Sequence, residues 1–161
     1  MNISIKENGI HMDFIVTEEK RLQLIGCSIW DNCNLEENKF AQAVEIQCAG
    51  ENQNDHHGAK HCYCASSDSL EYISHEITSN SYGKLLKIEL TDDKMRVILN
   101  YQFYDGIQAF RSWTDVENIS DEKIGLQYIS SFAFTGIDKK DKEQFVYIPS
   151  NAWVREALQK M

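Results

Sequence analysis

The chain has 161 residues, of which 42% are hydrophobic and 25% charged, which is ordinary for one soluble globular domain with its own core. Its formal net charge of −9 argues against the phosphate backbone of nucleic acids and against anionic membrane surfaces, both of which select a cationic footprint. A neutral partner, such as a sugar or another protein, fits that balance better. No apolar run approaches the roughly 20 residues that a membrane-spanning helix needs, and no basic segment followed by an apolar stretch opens the chain. The five cysteines, Cys27, Cys33, Cys48, Cys62 and Cys64, cannot all pair within the chain, so a reduced, cytoplasmic protein is expected.

In chain order, short strands are predicted around Ile3 and Ile5, over residues 12–17 and over residues 21–27. The first two are separated by Asn8-Gly9 and the next by Glu18-Glu19-Lys20. Residues 31–39 read as a loop. Val44, Ile46 and Cys48 then alternate with Glu45 and Gln47, the two-residue period of a half-buried strand. Residues 50–69 show no period and read as a long loop, and residues 70–77 as another strand.

The clearest alternation follows. Leu86, Ile88 and Leu90 fall on one face, and after the polar turn Thr91-Asp92-Asp93-Lys94 so do Met95, Val97, Leu99, Tyr101 and Phe103. Asp105-Gly106 is a strong hairpin signal, because glycine reaches positive φ without steric cost. A third strand is predicted over residues 108–117. A fourth is predicted with Ile124, Leu126, Tyr128, Phe132 and Phe134 on one face, so that residues 83–135 form a four-stranded meander. Residues 151–161 have helix-forming composition. The whole, residues 1–161, reads as a single all-β domain, an antiparallel sandwich of two sheets with roughly ten strands.

Chemistry could sit in two places. The run Asp55-His56-His57-Gly58-Ala59-Lys60-His61-Cys62-Tyr63-Cys64 gathers zinc-type donors. However, it lacks the paired ligand spacing of structural zinc sites, and it has no helix N-terminus or oxyanion hole to activate a cysteine. No metal and no cofactor is expected. The second place is Trp113, beside Arg111 and Asp115. An aromatic face with directional polar groups suits a sugar. On pattern alone, though, a tryptophan in a central strand reads as core and Arg111 as the cross-strand partner of a carboxylate.

The run Tyr101-Gln102-Phe103-Tyr104-Asp105-Gly106-Ile107, followed by Phe110-Arg111-Ser112-Trp113-Thr114-Asp115-Val116-Glu117-Asn118, resembles the N-terminal domain of glycoside hydrolase family 36, the α-galactosidases. Residues 125–136, the segment Asp55-His56-His57-Gly58 with Lys60 and His61, Tyr72-Ile73-Ser74-His75, and Ile148-Pro149-Ser150-Asn151-Ala152-Trp153 with Glu156 extend the likeness. The resemblance implies a β-supersandwich that is incomplete relative to the family domain. It also implies a parent enzyme that is a retaining α-galactosidase, whose two catalytic aspartates lie in a downstream (β/α)₈ barrel.

No alternating βα pattern supplies a barrel here, so the chain alone is expected to be inactive, with no catalytic residue of its own. Its implied role is to help assemble a homo-oligomer and to shape the galactoside site. Asp55, His56, His57, Lys60 and Trp113 are the implied substrate-binding residues, Asp55 by reaching into a neighbouring subunit. The alternative is a free-standing carbohydrate-binding or scaffold sandwich.

Overall fold

The computed structural model of the chain describes residues 1–29, 42–51 and 64–134, together with the backbone of 150–152 and 155–158. Its strands are β1 (Asn2–Glu7), β2 (Ile10–Val16), β3 (Leu22–Ser28), β4 (Ile46–Cys48), β5 (Glu71–Asn80), β6 (Gly83–Thr91), β7 (Met95–Phe103), β8 (Phe110–Asn118), β9 (Leu126–Ile129), β10 (Ser150–Ala152) and β11 (Arg155–Leu158). The one helix among the described residues is the single-turn α1 (Ala65–Ser69). All pairings are antiparallel and give sheets β1-β2-β3, β5-β6-β7-β8, β4-β9 and β10-β11. The protein is therefore all-β and sandwich-like, as the alternation predicts. No helix among the described residues is long and apolar enough to cross a membrane.

The layers follow from side-chain parity, because successive residues of a strand point to opposite faces. Ile3 and Ile5 of β1, and Ile10, Met12, Phe14 and Val16 of β2, point the same way as Leu22 and Leu24 of β3. Facing them from the other sheet are Leu86, Ile88 and Leu90 of β6, and Met95, Val97, Leu99, Tyr101 and Phe103 of β7. These residues form one buried cluster, and the Phe14 and Tyr101 rings meet across it with centroids 5.3 Å apart. Burying a large apolar side chain of this kind stabilises a fold by about 1.5–3 kcal/mol. The Asn8-Gly9 turn has positive φ at both residues, 48° and 80°, which is the backbone a two-residue hairpin needs.

Several expectations are corrected. The meander's fourth member is β5 on its far side, not the strand after β8. β9 is short and pairs with β4, because the Ser130 N–H donates to the Glu45 carbonyl (2.9 Å) and the Glu45 N–H to the Ser130 hydroxyl (2.8 Å). That register turns Ile129 toward the core and leaves Leu126 and Phe132 exposed. Residues 65–69 of the anticipated long loop form α1, with Ser66 and Ser67 buried. Residues 151–161 have helix-forming composition, but their described part contributes to the antiparallel β10–β11 pair. In an eleven-residue stretch helix propensity is a weak determinant, since an isolated helix below about 12 residues is marginal. The expected loop over residues 31–39 lies outside the described residues.

Candidate functional site

The outer face of the sheet β5-β6-β7-β8 is where strand geometry collects polar chemistry. If Leu99, Tyr101 and Phe103 point inward, then Ile98, Asn100 and Gln102 must point outward. The β7–β8 register places Ile98 opposite Asp115, Asn100 opposite Trp113 and Gln102 opposite Arg111. Arg111, Trp113, Asp115 and Glu117 therefore share one face of an edge strand.

This face is ordered by its own hydrogen bonds. Asn100 is 2% exposed; its amide nitrogen donates to the Asp115 carboxylate (2.9 Å) and to the Ile98 carbonyl (3.2 Å). Gln102, also buried, donates to the Phe103 carbonyl (2.8 Å) and the Lys84 carbonyl (3.2 Å), and its side-chain oxygen accepts from the Asn80 amide (2.7 Å). Asn80 in turn accepts from the backbone N–H groups of Tyr82 and Gly83. The Arg111 guanidinium lies 5.5 Å from the centre of the half-buried Trp113 ring, a cation–π distance. Farther along, Arg96 donates to Glu89 (2.7 Å) and to Glu117 (3.5 Å). The Arg96 hydrogen bond is the main reason the Glu89 carboxyl is held below the usual carboxylate range.

Trp113 is thus not core. It sits on an edge strand and faces outward, because the core-facing positions of β8 are taken by Phe110, Ser112, Thr114 and Val116. Nor, among the described residues, does a carboxylate pair with Arg111 across the sheet; its cross-strand neighbour is Gln102 and its guanidinium lies over the Trp113 ring. The other implied binding residues, Asp55, His56, His57 and Lys60, lie outside the described residues.

The two ends of their segment are anchored, however. Glu51 accepts from the Cys48 N–H (3.0 Å) and from the Ser66 hydroxyl. The buried Glu45 accepts from the Cys64 N–H (3.3 Å) and the Ser67 hydroxyl (3.0 Å). Sequence reasoning passed over Asn100 and Gln102, although two amides inside the strongest alternating run are themselves a signal: a buried amide must be hydrogen-bonded.

Chemically, the face offers a carboxylate acceptor, a guanidinium donor and an indole held by a fixed amide framework. Both of its carboxylates on β8 are engaged, Asp115 by Asn100 and Glu117 by Arg96. The fold and this face define an all-β sandwich with a polar, aromatic-bearing sheet face. Compared with known proteins, the chain matches no family model and no curated protein.

Proposed function

We propose that this chain is the non-catalytic N-terminal domain of an α-galactosidase-like glycoside hydrolase, which helps assemble the oligomer and shapes the galactoside site of the full enzyme. One observation carries the reading. The stretch that resembles the family, Phe110–Asn118, forms β8, and its most distinctive residues, Arg111, Trp113 and Asp115, project away from the core. Core packing accounts for Phe110 and Val116 but not for these three. An outward tryptophan set among polar groups is better accounted for by a partner or a sugar.

The test is the coding sequence downstream of residue 161, together with enzymology. A reading frame that continues into a (β/α)₈ barrel, with aryl α-galactoside hydrolysis by the whole product and none by this chain alone, is the expected outcome. A stop codon directly after residue 161, or turnover by the pure chain, overturns it.

The same outward face also favours a second reading, a free-standing carbohydrate-binding module. Titration of the isolated chain with an α-galactoside, followed by NMR at the Trp113 indole, separates the two. Saturable indole shifts, with binding heat in calorimetry that is lost in Trp113→Ala, support direct binding by the module.

A further inference from the structure

We propose that the chain dimerises by antiparallel pairing of β5 with β5 of a second copy, about a two-fold axis at Ile77. This inference is independent of the glycosidase reading. β5 is the first strand of its sheet, and among the described residues no strand pairs with its outer edge. Its ten residues, Glu71–Asn80, include no proline, lysine or arginine, the residues that usually blunt a free edge. The β5–β6 hairpin also holds three exposed large apolar side chains: Ile73 (51%), Ile77 (46%) and Tyr82 (64%). The opposite edge strand, β8, differs. It carries Arg111, Asp115 and Glu117, and its Thr114 hydroxyl is already bound to the Ser130 carbonyl (2.8 Å).

Symmetry selects the register. A two-fold axis that joins antiparallel strands into one continuous sheet stands perpendicular to that sheet. It keeps both inner faces on one side, so the axis passes through a residue rather than between two. The bulge between Tyr72 and Ser74 ends the regular ladder, leaving residues 74–80 as the straight stretch, with Ile77 at its centre.

Pairing about Ile77 sets the two Ile77 side chains against each other. Glu76 then lies opposite Thr78, His75 opposite Ser79, and Ser74 opposite Asn80. Tyr82 of each copy arrives at the Ile73 end of the other. An axis one residue earlier opposes two Glu76 carboxylates, and one at His75 runs the pairing through the bulge. Glu76 is meanwhile held on the outer face by Lys87 of its own chain (3.6 Å). The result is a continuous eight-stranded sheet, twice the four strands of one copy.

Sedimentation velocity of the full chain at tens of micromolar should give the dimer mass. Ile77→Lys, which opposes two ammonium groups on the axis, should give a monomer with an unchanged far-UV spectrum. Ile107→Lys, a change at another exposed isoleucine (58%) in the β7–β8 loop, should leave the dimer intact. A monomeric wild type, or a dimer that survives Ile77→Lys, overturns the proposal. If Ile77→Lys fails to fold, amide exchange of the wild type decides. The amides of residues 74–80 should exchange faster on dilution, and exchange there that is independent of concentration overturns the proposal.

Discussion

β7 and β5 belong to one sheet, are separated by a single strand and are of similar length, yet their environments are opposite. β7 has nearly every residue buried or half-buried on both faces, whereas β5 has all but Tyr72 exposed on both. Composition explains part of this, since β7 (MRVILNYQF) is mostly apolar and β5 (EYISHEITSN) mostly polar, but Ile73 and Ile77 of β5 are exposed all the same. The rest of the difference lies in what stands beside and above them. β7 is flanked by β6 and β8, and the β1-β2-β3 sheet packs over its inner face. Among the described residues β5 has one neighbour, β6, and its side chains other than Tyr72 are exposed. Whether a residue is buried therefore depends on the strand's place in the sheet, and alternation decides only which side of the sheet it takes.

This contrast can be broken most severely at Tyr101, on β7. It is 2% exposed and packs on Phe14 and Phe110. Burial pushes its phenol well above the ordinary range, so the ring stays neutral through any physiological pH. Tyr101→Ala should cost about 3–5 kcal/mol, by analogy with aromatic truncations in well-packed cores, read as a lowered midpoint in urea.

Next is Gly83, where the β5–β6 turn leans on the end of β7. Its φ is +139°, and an added Cβ would lie 2.5 Å from the Phe103 carbonyl oxygen. Backbone strain of that kind makes Gly83→Ala destabilising by about 1–3 kcal/mol, measurable by thermal unfolding.

A smaller loss is expected at Gln102→Ala, about 1–2 kcal/mol, since it removes the acceptor for the Asn80 amide and empties a buried, satisfied site. Proton-exchange rates at Tyr82 and Gly83, whose N–H groups rest on Asn80, should rise with it. Smallest is Ile77→Ser on β5. At dilutions where the chain is monomeric it should shift stability by no more than about 0.5 kcal/mol. A loss comparable to that at Tyr101 would mean β5 is covered within its own chain, and the contrast would fail.

What was legible in the sequence follows the same division. β6, β7 and their turn could be read almost to the residue, because a two-residue period, a polar Thr91–Lys94 turn and cross-sheet burial all agree. β5 was legible only as a strand, because nothing in Glu71–Asn80 announces which face is buried, and in fact neither is. The partner of β9 was not legible at all. Its pairing with β4 depends on Ser130 and Glu45, a contact that no local pattern encodes. The polar outer face was half legible. Trp113 and Arg111 attract notice as residue types, but their outward direction depends on the β7–β8 register, which gives the inner positions of β8 to Phe110, Ser112, Thr114 and Val116. Asn100 and Gln102 read correctly as the polar side of the strand, but their burial did not, because polar residues in an alternating strand are normally assigned to solvent.

The clasp between Glu45 and Ser130 has a kinetic meaning. Its two residues are 85 positions apart in the chain, whereas β5 to β8 are joined by short turns. Closing a long loop costs entropy before any contact rewards it, and contacts between distant residues slow folding. Loop-closure entropy therefore favours formation of the meander ahead of the β4–β9 pair. Glu51 accepts from the Cys48 N–H of β4 and Cys64 donates to Glu45 itself, so both lie beside that clasp.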